Sequence, residues 1–373
     1  MIKSTAAFAA LASTFPTLEV FGIGKHEEGT LIPFLDAQPT GRPMLKWDQL
    51  TTWITPSAQL FAVSHYNVPE IDSESWRLKI SGLVNQPRVL SLKDVRKRPR
   101  KEVIATLECS GNGSNPGFMG AIGNIRWTGT PLASLLKECG MAERAIEIVF
   151  FGADEKVEKI RDRDYPQNFA RSLSRADALR DEVLLAYEMN GEPLAKEHGG
   201  PVRLIVPGWF GIAWVKWLNR IEVADRRFMS KYMAREYVTI RGEERDGKTV
   251  WRETSVGPID VKSMVARAVR LGNGTVRLSG AAWTDGTPLQ RVEVKIDGGT
   301  WTPVEIDSKN RAKFAWTLWK YDWRNPTRGD HAVVSRAIDH EGRIQPDADD
   351  SAIKLKRTYW EANEQHPRKL RIE

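Results

Sequence analysis

Residues 103–117 read VIATLECSGNGSNPG, a β-branched run that passes straight into small and turn-forming residues. The run has the length and composition of a strand. A strand that ends in such a loop is a good place to present a reactive side chain, and the side chain there is Cys109. The backbone amides of Ser110 to Ser114 can converge on an anion. Their small side chains leave space beside the sulfur, and a soft thiolate suits a soft or high-valent metal. A cysteine at a strand end is by itself more often structural than reactive; the loop around this one shifts the balance.

The other cysteine, Cys139, lies in an amphipathic stretch read as a helix, with Thr130 as N-cap, Pro131 at its first position and Gly140 just past its end. That makes it a core residue. With two cysteines in 373 residues and no CxxC, a thioredoxin motif and a cysteine-rich zinc site are excluded. The six histidines are dispersed, without HExxH. A 41% hydrophobic, 28% charged composition is that of a folded protein, and the length suits two or three domains. The net charge is +7, and the run VRKRPRKE at 95–102 reads as a solvated loop or as a steering patch for an acidic partner or anionic substrate. No apolar run reaches the ~20 residues of a membrane helix. The fourteen tryptophans sit mostly within apolar patterns, unlike the exposed aromatics and basic stripe of a nucleic-acid binder.

Outward from the Cys109 loop, strands are expected at Trp76–Leu83, Ala145–Phe151, Val183–Tyr187, Val202–Val206 and Val215–Val223, and short helices at Ser91–Val95 and Leu173–Leu179. They alternate without a βαβ repeat, which implies an α+β domain with a mixed sheet. After about residue 260 only short strands are expected, including Val276–Gly280, Val292–Ile296, Lys313–Trp319 and His331–Ile338, with a hairpin turn at Asp297-Gly298-Gly299. That spacing suggests an immunoglobulin-like sandwich. The expected boundaries are 1–45 for an N-terminal segment and arm, 46–255 for the first domain and 256–373 for the sandwich. Met1–Phe15, MIKSTAAFAALASTF, has the look of a secretory signal's hydrophobic part, and residues 2–7 resemble the stretch just after the Arg pair of a twin-Arg signal. A truncated export signal, and so a periplasmic or exported protein, is the preferred reading over a cytoplasmic one.

Two further segments carry chemistry. Residues 184–217 place His198, Arg203 and Lys216 near one loop edge, where they can hold a phosphate or other anion; they read equally as solvated strand ends. His65 lies in the polar loop FAVSHYNVPE at 61–70, where it is either a cofactor contact or a surface histidine.

Taken together, FAVSHYNVP, TLECSGN, LLAYEMNGEPL, HGGPVRLIVPG and VKWLNRIEV, in this order and spacing, resemble the molybdopterin domain of the sulfite oxidase family. The resemblance runs from about Trp47 to the C-terminus, with the sandwich matching the family's dimerisation domain. It implies molybdenum and molybdopterin as cofactor, Cys109 as the metal's protein ligand, and His65, Asn112, His198, Arg203 and Lys216 around the pterin and its phosphate; no haem is expected, since no stretch resembles the family's haem domain and no CxxCH occurs. Asp154 and Ser172 border the cofactor. Tyr237, or failing that Tyr232, approaches the metal. The implied activity is oxidation of sulfite to sulfate, with electrons passed to an external acceptor such as a cytochrome, in a homodimer. The sequence departs from the family's pattern at Val63, Gly113 and Ser114, which stand where substrate-binding arginines are expected; Arg368 is a candidate replacement. Two rivals are reduction of sulfoxides or other oxo compounds on the same cofactor, and a non-enzymatic immunoglobulin-like binding protein.

Overall fold

The computed structural model describes residues 29–36, 44–115 and 117–373; the export-signal reading lies outside them. Two sheets build the first region. In one, the strands Lys101–Glu108, Ile122–Pro131, Leu184–Met189 and Arg203–Ile205 pair in that order, all antiparallel. In the other, Arg88–Ser91, Arg77–Gly82, Leu218–Ala224, Glu147–Ile160 and Arg163–Ser174 are neighbours, and the pair Leu218–Ala224 with Arg77–Gly82 is parallel. The sheet is therefore mixed.

Helices are few and short. Leu92–Arg96 starts where expected, because Ser91 and Asp94 form a reciprocal capping box, which contributes about 1 kcal/mol. The next helix spans only Leu132–Glu138. Thr130 is not its cap: it ends the strand Ile122–Pro131 and its hydroxyl donates to the Val95 carbonyl at 2.9 Å. Cys139 is fully buried, as expected of a core residue. Of the helix expected at Leu173–Leu179 only Arg175–Ala178 forms, since Leu173 and Ser174 complete a strand. That strand belongs to a long hairpin, Glu147–Ile160 with Arg163–Ser174, which turns through Arg161 and Asp162, both at positive φ. Its outer half is charged, so no apolar pattern marks it in the sequence.

The second region is a sandwich. Gly29–Ile32, Lys262–Leu271, Val276–Trp283, Thr317–Trp323 and Glu305–Ile306 form one sheet, and Thr302–Pro303, Leu289–Ile296, Gly329–Asp339 and Arg368–Ile372 the other. Val265, Leu278, Val292, Val294, Trp319 and Leu370 fill the space between them. The turn at Asp297 and Gly298 has the positive φ values, 50° and 72°, of a two-residue hairpin. One expected strand starts late: Phe314 bridges Ala105 of the first region, so pairing within the sandwich begins only at Thr317. Between the regions stands the hairpin Val238–Arg245 and Lys248–Ser255, not anticipated from sequence.

The regions share a core. Trp283 and Trp316 of the second stack near Trp47 of the first, at 6.1 and 6.2 Å between ring centroids. Trp53 and Trp316 exchange indole-to-carbonyl hydrogen bonds of 3.0 and 2.9 Å. The Cys109 loop lies along this seam.

Candidate active site

Strand Lys101–Glu108 is buried along its last four residues and delivers Cys109 half-buried at its end. A tight turn comes next, with the Asn112 amide bonded to the Cys109 carbonyl at 2.9 Å. Under the turn lies a buried polar cluster. Glu108 Oε1 accepts from Lys262 Nζ at 2.9 Å and from Asn112 Nδ2 at 3.0 Å, while Glu108 Oε2 accepts from the Trp283 indole at 2.7 Å. Lys262 also donates to the carbonyls of Asn112 and Ala362, at 2.7 and 2.6 Å. Each charge is thus paired and hydrogen-bonded, the condition for burying it at all.

The sulfur faces an open cleft. Seven of the nine residues singled out from sequence line it: Cys109, His65, Asp154 and Tyr237 do, and so do His198, Arg203 and Lys216. Asn112 and Ser172 do not. Asn112 is spent on Glu108 and on the Ala121 amide. Ser172 is buried, with its hydroxyl on Glu147 and 3.6 Å from the Met233 sulfur. Tyr232 sits behind the wall, packed on His65 at 4.8 Å between centroids.

One end of the cleft is cationic. Arg203 is buried, and its guanidinium donates to the carbonyls of His198 and Trp214, at 3.0 and 3.1 Å. Lys216 reaches Ser64 Oγ at 3.1 Å and the Glu197 carbonyl at 2.9 Å. Among the described residues neither has a carboxylate ion-pair partner. Burial first, then the Arg203 guanidinium, bring the Lys216 ammonium down to about 7, and burial brings Arg203 down to about 9. Burial and the neighbouring cations hold His65 and His198 near 4, so both are neutral at pH 7. Burial pushes Asp154 up to about 7, and its Oδ1 is buried without a partner. Two cations without an ion-paired carboxylate among the described residues, with Asp154 and Glu197 acting on Lys216 only from a distance, suit an anion.

The metal end is different. Burial pushes the Cys109 thiol up to about 11, against the lowering effect of the Gly111 amide, and a coordinated cation would reverse that. Tyr237 and His65 Nε2 share a hydrogen bond of 2.6 Å whose direction is set by the imidazole tautomer, and burial holds the phenol protonated. Tyr237 and Trp217, both on the cleft wall, have φ of 54° and 49°, which for bulky residues costs about 1–3 kcal/mol and is characteristic of functional positions. Arg171 anchors the Tyr237 segment. Fully buried, it donates to the carbonyls of Tyr232 and Val256 and, at 3.1 Å, to Ser255 Oγ; the Val256 amide in turn bonds the Tyr237 carbonyl at 2.8 Å. Sequence reading passed over Arg171, Glu108 and Lys262, although a carboxylate at the buried end of an apolar strand was a visible signal.

The replaced arginines have a physical account at one position. Gly113 has φ 87°, where a side chain is strained, and a Cβ there would lie 2.9 Å from Lys262 Nζ, so an arginine would require the buried lysine to shift. Val63 lines the cleft and Ser114 is exposed. Arg368 is no substitute. Its guanidinium is bound to Asp36 at 2.7 Å and to the Val265 carbonyl at 3.0 Å, inside the sandwich, because it opens the strand Arg368–Ile372.

The donor set fits a molybdenum–pterin group: a thiol for the metal, and a buried cationic end with an unpartnered carboxyl for an anionic, hydrogen-bonding organic part. Comparison with known proteins agrees. Residues 65–232 match the oxidoreductase molybdopterin binding domain, and residues 252–360 the Mo-co oxidoreductase dimerisation domain. The chain is 32% identical to mitochondrial sulfite oxidase of Rattus norvegicus over 325 residues, which is 79% of this chain and 58% of that protein. It is 30% identical to sulfite oxidase of Gallus gallus over 323 residues, covering 79% and 69%. Its fold matches the sulfane dehydrogenase SoxCD structure from Paracoccus pantotrophus with a TM-score of 0.75 and 27% identity, covering 99% of this chain and 96% of that one. The chain thus carries the domains of molybdopterin-dependent oxidoreductases. More narrowly, it belongs to the sulfite oxidase family, with that family's mixed-sheet domain followed by an immunoglobulin-like one. The chain spans 58% of the length of the mammalian relatives it matches.

A test of the cationic end needs no activity. An unfolded lysine holds its proton to about 10.4, whereas native Lys216 releases it near 7. Between these values the unfolded chain binds more protons, so the stability of the cofactor-free protein rises with pH. The expected result is a melting temperature that climbs from pH 7 to 9, and climbs less in Lys216→Met. Lys356, lowered by burial to about 8, contributes the same sign to both proteins and cancels in the comparison. Equal slopes would remove Lys216 from the account.

Proposed function

We propose that the protein oxidises sulfite to sulfate and passes the two electrons, one at a time, to an external acceptor such as a cytochrome. The observation that carries this is the joining, in one cleft, of a metal-capable thiol with the buried Arg203 and the half-buried Lys216, neither of which has a carboxylate ion-pair partner among the described residues. The bound molybdenum–pterin supplies oxo transfer and redox capacity. The chain's own residues hold and orient. Cys109 ligates the metal, while Arg203, Lys216 and His198 bind the pterin phosphate and Asp154 meets its polar edge. The Tyr237 hydroxyl, held protonated by burial and accepting from the Nε2–H tautomer of neutral His65, keeps its own proton to donate to an oxyanion at the metal end. Asn112 serves from below, by holding the turn that presents Cys109. We also infer a homodimer through the second domain, and place the protein in an exported compartment on the pattern of residues 1–15 alone. Among the described residues no helix is long and apolar enough to cross a membrane.

A second substrate reading has a specific observation behind it. Neutral residues at 63, 113 and 114 remove positive charge expected around a dianion, which favours a less charged sulfur compound. The sulfane dehydrogenase that matches the whole fold makes a sulfane sulfur the choice. Steady-state assays with ferricyanide separate the readings, with sulfite and thiosulfate as donors beside dye-linked sulfoxide reduction. Turnover with sulfite is the expected result. Turnover with thiosulfate alone supports the second reading, and sulfoxide reduction alone would overturn both.

A further inference from the structure

Three residues that line the cleft each carry a buried polar atom with no hydrogen-bond partner among the described residues: Asp154 Oδ1, Arg203 Nε and Ser110 Oγ. The first two belong to the end that suits the organic part of the cofactor. Ser110 stands at the other end, directly after the metal's ligand, and is 1% exposed. A buried hydroxyl left unpaired is costly, and nearly all such groups in folded proteins find a partner. Burial keeps this one from turning to solvent.

The turn that carries it is fastened on every side. The Asn112 amide donates to the Cys109 carbonyl at 2.9 Å, the Ser114 amide to the Gly111 carbonyl at 3.0 Å, and the Ala362 amide to the Ser110 carbonyl at 3.3 Å. The carboxylate beneath the turn is already taken, since Glu108 accepts from Lys262, Asn112 and Trp283. Among the described residues the protein therefore offers the hydroxyl nothing. The neighbouring chemistry that these residues do not supply is the set of ligands that Cys109 would share around the metal.

We infer that the Ser110 hydroxyl donates a hydrogen bond to an anionic ligand atom of the bound molybdenum, a sulfur or an oxygen, and thereby raises the metal's reduction potential. The inference rests on the cofactor reading of the cleft and not on the choice of substrate. A hydroxyl has one donor to give, and the atoms around such a metal are acceptors. Electrons added to the metal make those atoms richer in negative charge, so the bond strengthens on reduction and favours the reduced state. Hydrogen bonds from outside the ligand set are a general control on a metal's potential. The Gly111 amide already acts on the Cys109 sulfur, and Ser110 adds a second donor from the same turn.

The test compares the parent with Ser110→Ala, both as full chains. Loaded with cofactor, the variant should show a lower Mo(VI)/Mo(V) potential in a redox titration followed by the molybdenum EPR signal. The expected shift is about tenfold in the one-electron equilibrium, or about 59 mV. In deuterium oxide the parent's signal should carry a deuteron coupling that the variant lacks. Without cofactor, the variant should melt no lower than the parent, because it loses only an unpartnered group. An unchanged potential in a variant that holds as much molybdenum as the parent would overturn the inference, and an accompanying rise in KM for sulfite would place the hydroxyl on the substrate instead. A lower melting temperature of the cofactor-free variant would also overturn it, by revealing a partner within the protein. A parent that binds no molybdenum would overturn the cofactor reading itself, and the inference with it.

Discussion

Cys109→Ser is expected to give a folded protein whose turnover is at background. The substitution changes one atom of a half-buried side chain whose backbone is fixed by bonds to Ala121 and Asn112. The effect on stability should stay within about 1 kcal/mol, as for a substitution that breaks no packing or network. The chemical effect is large because an alcohol is a hard, weakly acidic donor where a thiolate is wanted. Melting temperature, molybdenum content and sulfite-dependent ferricyanide reduction together check it. Wild-type turnover in the variant would remove the thiol from the reaction.

The largest stability effect should come from the residue before it. Glu108 and Lys262 are both essentially inaccessible to water, 2.9 Å apart, and each also holds neutral partners. Lys262→Met leaves the Glu108 carboxylate buried without its counter-ion. Losing one member of such a pair costs about 3–5 kcal/mol, a large share of the stability of an ordinary domain. Removing both charges, in Glu108→Gln with Lys262→Met, should cost less than the sum of the single changes. A urea titration of the four proteins measures the coupling. Additive losses would mean that the pair does not act as a unit. The single variant should also bind less cofactor, because Lys262 ties the Asn112 carbonyl and thereby the turn that carries Cys109.

The difference between these residues shows what was legible in the sequence. Cys109 could be read because a strand followed by a small-residue loop is a local pattern. His198, Arg203 and Lys216 could be grouped because they lie within nineteen positions of one another, and the cleft does collect them. Arg203 and Lys216 were open to a bland reading, and only the burial of Arg203 and the placing of both in the cleft without ion-pair partners among the described residues separate the two. Asn112 and Ser172 came from the family resemblance, which gives position along the chain but not which way a side chain turns. Glu108 with Lys262 is a contact across 154 positions, and Arg171 with Val256 one across 85. No local pattern encodes such pairs. The sandwich strands were legible from alternation, but Phe314, pulled toward the first region, delayed one of them for a reason outside its own segment. The Val238–Ser255 hairpin was missed because its outer strand is exposed along its whole length, and so carries no apolar period.

The seam beneath the cysteine loop also bears on the order of events in making the protein. Translation delivers Cys109 well before Lys262, Trp283 and Ala362. Until those residues arrive, the carboxylate behind the cysteine has no cation and the turn has no floor. A first domain made alone is therefore expected to present Cys109 on a loosened turn, which faster hydrogen exchange at the Ser110–Ser114 amides of such a fragment than in the full chain would check.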